Sequence, residues 1–232
     1  MLTGMTTPKP KLRWFQFSPR TLLVFVTLWA IACSWLAVKK KQARRQREAA
    51  AAFEKLGGSV TWSKPSGPAW LRGLLGDDFL RTVLYVDLGN TRLTDADLES
   101  LTKLKQLQEL GLQKTGITDV GLVNLKELSQ LQVLILAGTK ATDAGLENLK
   151  GLNQLQLLYL DDTNVTDAGT ENLNGLDQLQ QLRLDGTQIT DAGLANLKWL
   201  KQLHELSLHR TQITDAGVKK LQQALPNCRI ER

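Results

Sequence analysis

A unit of 24 residues recurs from Val83 onward, and it constrains the fold of this 232-residue chain more than any other feature. The copies begin at Val83, Leu107, Leu131, Leu155, Leu179 and Leu203. The second reads LQELGLQKTGITDVGLVNLKELSQ and the fifth LQQLRLDGTQITDAGLANLKWLKQ. Their shared pattern is L-x-x-L-x-L-x-x-T-x-I-T-D-x-G-L-x-x-L-x-x-L. A single unit of this size cannot bury its own leucines, whereas a stack of them buries the leucines of every copy.

The spacings within a unit predict how it folds. Leu110 and Leu112 are two apart, which puts both on one face of a strand. Leu122, Leu125 and Leu128 are three apart and line one side of a helix. Thr118 and Asp119 precede that helix, where a hydroxyl or carboxylate accepts from the first free N–H groups. The row Asp95, Asp119, Asp143, Asp167, Asp191 and Asp215 is read the same way, as helix capping in preference to cation binding. Gly121, Gly145, Gly169, Gly193 and Gly217 fall in the first helical turn against helix propensity, so neighbouring coils should approach closely there. Thr91, Thr115, Thr139, Thr163, Thr187 and Thr211 follow the strands, where a small hydroxyl satisfies backbone groups at the turn. Three positions depart from the pattern: Asp97 stands for Gly, Ala141 for Ile, and Thr170 for the first helix Leu. Each removes a packed group, so coils one, three and four are expected to be looser. Cys228 and Ile230, two apart, predict a closing strand with the cysteine as a small buried hydrophobe.

On these residues the chain resembles the leucine-rich-repeat family over 83–230. The ITDAGL signature is similar to a subgroup shared by bacterial repeat proteins and the substrate-binding arms of F-box proteins. With FSPRTLLVFVTLWAIACSW ahead of EKLGGSV, the whole arrangement resembles small membrane-anchored bacterial repeat proteins. The resemblance implies an α/β solenoid of about six strand–helix coils, with a concave parallel sheet and helices on the convex side. It also implies recognition through exposed strand residues of the concave face. Six strands at about 4.8 Å span roughly 25–30 Å.

The N-terminal third has a different character. Residues 1–82 hold 14 Lys/Arg against four Asp/Glu, while residues 83–232 hold 15 against 19. The basic balance therefore does not belong to the repeats, and a nucleic-acid partner, which needs a basic stripe on the folded domain, is not expected. Thr21 to Val38 is 18 residues without a charge. As a helix it rises about 27 Å against a hydrocarbon core of roughly 30 Å. Trp14, Phe15, Phe17 and Trp35 stand near its ends, where amphipathic rings prefer the interface. The organisation expected is a basic tail (1–20), a transmembrane helix (21–38), a basic juxtamembrane helix (39–56), an N-terminal capping segment (57–82) and the repeat domain with its C-terminal cap (83–232).

A cleaved signal remains an alternative, because Ala30-Ile31-Ala32 offers a small-residue cleavage pattern and Ala32-Cys33 faintly resembles a lipoprotein site. The uncharged run continues past Cys33, which favours a retained single-pass anchor. Seven cations through Lys55 follow the span and four precede it, a lean towards cytoplasmic repeats. Four cations in a short tail also resist translocation, so the side stays open. The bilayer is thus an expected partner, through 21–38 and its basic flanks.

On the concave face, Val133, Ile135, Leu157 and Tyr159 make an apolar patch where a solvated face would be polar. Arg183, Asp161 and Asp185 rim it, with Tyr85 and His209 on the outer coils. Tyr and Arg are favoured interface anchors, and these nine are the candidate partner-binding residues. Strand propensity alone also explains aliphatics there. The expected partner is another protein, not a small-molecule substrate. No catalytic motif, cofactor motif or metal-ligand cluster is legible, since the two histidines, His204 and His209, are placed to point to different sides. Two further readings stay in view: an envelope spacer, and an adaptor presenting substrates as F-box arms do.

Overall fold

The computed structural model describes residues 19–232, apart from the side chain of Asp78. Of the basic tail, all but Pro19 and Arg20 lies outside the described residues, as do Trp14, Phe15 and Phe17. The chain divides into two compact units, Met1–Lys41 and Gln42–Arg232. Helix α1, Pro19–Lys55, begins in the first and ends in the second. No glycine or further proline interrupts it, Pro19 suits a first helical position, and Gly57 at φ 88° follows its end. In the first unit its apolar side chains are exposed, and by length and composition it can cross a membrane.

In the second unit the last turns of α1 bury Gln46, Ala49, Ala50 and Phe53. That spacing is the stripe of an amphipathic helix, and it packs into the repeat core. Gln46 Oε1 accepts from the Val83 N–H at 3.4 Å. Strand β1, Ser59–Trp62, pairs antiparallel with β2, Val83–Asp87. Helix α2, Ala69–Leu75, buries none of its residues. The capping expected of 57–82 is therefore shared: α1 covers the first coil, β1 extends its sheet, and α2 takes no part in the core.

Strands β3 (Glu109–Gly111), β4 (Val133–Ile135), β5 (Leu157–Tyr159), β6 (Gln181–Arg183), β7 (Glu205–Ser207) and β8 (Arg229–Glu231) continue from β2 in chain order, all parallel. Eight strands make the sheet, where the repeats alone predict six; β1 and β8 are the additions. Between β2 and β7 each residue faces the one 24 positions later, so Leu110, Leu134, Leu158, Leu182 and Leu206 form one buried row. Cys228 is buried beside β8, and burial pushes its thiol up to about 11.

The opposite side carries α3 (Asp119–Leu122), α4 (Asp143–Leu146), α5 (Asp167–Glu171), α6 (Asp191–Leu197) and α7 (Asp215–Ala224). Coil one has only a 3-10 helix, Asp95–Lys103, and α3 and α4 run on as 3-10 turns. Leucines at strict intervals of three match the three-residue period of that helix. In the last coil Val218, Leu221 and Leu225 step by three and then four, and α7 reaches ten residues.

The aspartate row does not cap its own helices. Thr118, Thr142, Thr166, Thr190 and Thr214 are the capping residues, their hydroxyls accepting from a backbone N–H two or three residues on. Each of these threonines also gives its own N–H and hydroxyl to the aspartate 23 residues earlier. Asp119 takes both from Thr142 at 2.8 and 2.6 Å, and Asp95, Asp143, Asp167 and Asp191 repeat the geometry. The glycines at the matching repeat position make room for it: a Cβ on Gly145 would collide with Asp119 Oδ1 and Leu122.

Asp97 follows from the same logic. Thr94 has no coil before it to supply a carboxylate, and Asp97 Oδ2 accepts its N–H at 2.8 Å and its hydroxyl at 2.6 Å. Thr170 is fully buried, with its hydroxyl donating to the Asp167 carbonyl at 2.6 Å and accepting from Asn196 at 2.9 Å. The loosening expected at coils one and four thus gives way to new hydrogen bonds. In the last described coil Asp215 pairs with Arg232 at 2.7 Å. The strand-end threonines behave as expected, each hydroxyl donating to the leucine carbonyl three residues back at 2.6–2.7 Å.

Candidate functional site

Parallel register sets the central patch. Val133 lies beside Leu157 and Ile135 beside Tyr159 on the adjacent strands β4 and β5. All four are half-buried, while the alternating Leu134 and Leu158 are fully enclosed. Tyr159 in turn faces Arg183 on β6. The guanidinium carbon sits 5.3 Å from the Tyr159 ring centroid, and the phenol donates to Gln181 Oε1 at 3.1 Å. A tyrosine held at both its ring and its hydroxyl presents a fixed amphipathic surface, and a cation over its face gains about 0.5–1 kcal/mol at an exposed site.

Arg183 is also held from below. Its Nε donates to Asp161 at 3.1 Å and its Nη2 to Asp185 at 3.2 Å. Asp185 accepts as well from the Ser207 hydroxyl at 2.6 Å and the His209 N–H at 2.8 Å. The two carboxylates share one guanidinium and diverge. Burial raises the Asp161 pKa, with the neighbouring Asp185 charge adding to it against the pull of Arg183. Burial also acts on Asp185, but its donors Ser207 and His209, with Arg183, hold it below the ordinary carboxylate range.

A family model for the leucine-rich repeat matches residues 201–221, nearly all of them in the sixth copy. An internalin (inlF) from Listeria monocytogenes is similar at 26% identity and TM-score 0.51, over 57% of this chain and 36% of that one. This chain therefore spans only about a third of that internalin. An internalin C2 from the same organism aligns at 26% identity and TM-score 0.46, over 66% of this chain and 70% of its own. The curated proteins contain no match. The 24-residue register of the sheet, the matched copy and the inlF likeness agree. The repeats are leucine-rich repeats.

As a leucine-rich-repeat solenoid the domain offers an extended face of the kind such proteins use in protein–protein interaction. The structure brings seven of the nine candidate residues together: Val133, Ile135, Leu157, Tyr159, Arg183, Asp161 and Asp185. Two of them change role, because Asp161 and Asp185 are 8% and 5% exposed and serve to anchor Arg183. Strand alternation assigns them to solvent, but it carries no information about the arginine lying across them. Tyr85 shares the Val133 row but is separated from it by Glu109, and burial followed by the charges of Asp87 and Glu109 raises its pKa. His209 reaches the patch through its backbone N–H on Asp185 at 2.8 Å, while its ring lies 3.9 Å from Glu231. Gln181 and Ser207 were not among the sequence candidates, although both occupy the same repeat positions as residues that were. Among the described residues no group of three or more His, Cys, Asp or Glu is placed to hold a metal.

Proposed function

We propose that this chain is a membrane-anchored leucine-rich-repeat protein that binds another protein through its concave face. The observation that carries the reading is the in-register block Val133, Leu157, Ile135 and Tyr159, finished by an arginine fixed over the tyrosine. Its apolar side chains are partly exposed and adjacent on two strands. The aromatic and the guanidinium are already ordered, so a partner that covers them immobilises little at the interface. The anchor reading rests on the unbroken helix α1, whose apolar part continues through basic residues into turns that pack on the first coil.

The test is site-specific photocrosslinking from full-length protein in cells that express it. A crosslinker at Ile135 is compared with one at Glu147, exposed on the helical side. A discrete protein adduct from position 135 alone, lost when Leu157→Ser and Tyr159→Ala are added, supports the concave face. Equal adducts from both positions, or none from Ile135, overturn it.

A further inference from the structure

Helix α2 leaves a large apolar surface that the fold does not use. Trp70 is 70% exposed and Leu74 74% exposed, one helical turn apart on the same face. The helix belongs to residues 63–82, an excursion between β1 and β2. Its two ends are pinned by Ser63 and Thr82, whose backbone N–H groups donate to the Thr82 carbonyl at 2.8 Å and the Ser63 hydroxyl at 3.0 Å. The excursion therefore leaves the sheet at the Val83 end of β2.

The chain enters the same unit at that end. Gln46 contacts Val83, whereas Phe53 lies by Gly58, next to Asp87 and Leu88 at the opposite end of the strand. Residues 42–46 are thus on the side from which α2 projects. Gln42 is only four positions past Val38, where the uncharged run stops. Even fully extended, four residues reach about 14 Å. If 21–38 spans a bilayer, that end of the unit is held close to its surface.

Charge divides the same way. Residues 39–82 carry ten Lys/Arg against four Asp/Glu, while the repeats are net acidic. Arg44, Arg45, Arg47 and Lys64 belong to the end that α2 shares. An anionic surface attracts this end and repels the other, and an exposed tryptophan with a neighbouring leucine prefers the headgroup boundary.

We infer that α2 is a second membrane contact, seating Trp70 and Leu74 at the headgroup–acyl boundary of an anionic leaflet. The inference rests on the anchor reading. It fixes the repeat unit to the surface at two places, the end of the span and α2, so that the unit cannot pivot about a single helix.

The test uses full-length protein with Cys33→Ser, reconstituted in vesicles of phosphatidylcholine with and without phosphatidylglycerol. An environment-sensitive fluorophore is placed at Gly73→Cys, where an added Cβ meets nothing within 4 Å. In a second sample it is placed at Ala32→Cys, within the apolar run. Quenching by spin-labelled lipid at position 73, lost in Trp70→Ser/Leu74→Ser, is the result expected. Omitting the anionic lipid should lower the docked-to-undocked ratio about fivefold for each cation facing the headgroups. Quenching at 32 with none at 73 overturns the α2 contact and leaves the anchor standing, as when a protein or a second copy occupies α2. No quenching at either position overturns the anchor reading and this inference together.

Discussion

The carboxylate of Asp119 lies 2.8 Å from the backbone nitrogen of Thr142, a residue 23 positions further along the chain. With the Thr142 hydroxyl on the other oxygen, that one side chain ties two coils together and leaves the capping of its own helix to Thr118. Four more aspartates do the same, so the ladder joins every pair of neighbouring coils.

Asp143→Ala removes the acceptor for both the N–H and the hydroxyl of Thr166. These groups are half-buried, and the loss should cost about 1–3 kcal/mol in chemical denaturation. A change below about 0.5 kcal/mol, typical of ordinary surface substitutions, would show that the ladder is ornamental.

Asp97→Gly restores the repeat pattern and should nevertheless destabilise the protein by about 1 kcal/mol, because it strips Thr94 of its only carboxylate. Gly145→Ala should be destabilising as well, since its Cβ meets Asp119 and Leu122. Combining it with Asp119→Ala should cost less than the sum of the two single changes. Strict additivity in that cycle would contradict the proposed contact.

Asn90, Lys114, Asp162 and Arg210 have φ between 52° and 60°, and Gly138 and Gly186 occupy the same repeat position at 67°. This left-handed step after each strand costs a side chain about 1–2 kcal/mol. Lys114→Gly should therefore raise the melting temperature and Gly138→Ala should lower it. The opposite order would mean that side-chain contacts outweigh the backbone at this turn.

The shared guanidinium makes a pH prediction. Asp185 is held below its ordinary range, so the stability it contributes is present above the unfolded-state pKa and disappears as pH falls through its lower folded value. Asp161 is raised, so it takes up a proton first on acidification, and its ionised form costs stability at neutral pH. Asp185→Asn should destabilise at pH 7 and flatten the acid limb of the stability curve, whereas Asp161→Asn should cost less. Equal losses from the two variants would show that the carboxylates are equivalent.

Sequence made the sheet and its register legible because Leu110, Leu134, Leu158, Leu182 and Leu206 carry the period directly. It did not make Asp97 legible, since the meaning of that residue depends on the coil that does not precede it. The role of α1 was hidden for another reason. Gln46, Ala49, Ala50 and Phe53 have the spacing of a buried stripe, but Arg44, Arg45 and Arg47 nearby read as a flank for lipid. At the concave face, alternation found the apolar block and misjudged Asp161 and Asp185. Alternation reports which way a Cβ points, and burial by a long neighbour such as Arg183 lies outside it.

Because the acceptor of each rung sits in one coil and its donors in the next, a whole coil is the smallest piece that can be gained or lost without opening the ladder. Excising residues 131–154 would leave Asp119 to meet Thr166 with the same two donors. Interior length is thus a quantity that duplication and deletion can vary, while Asp97 closes the ladder at its first coil from within that coil.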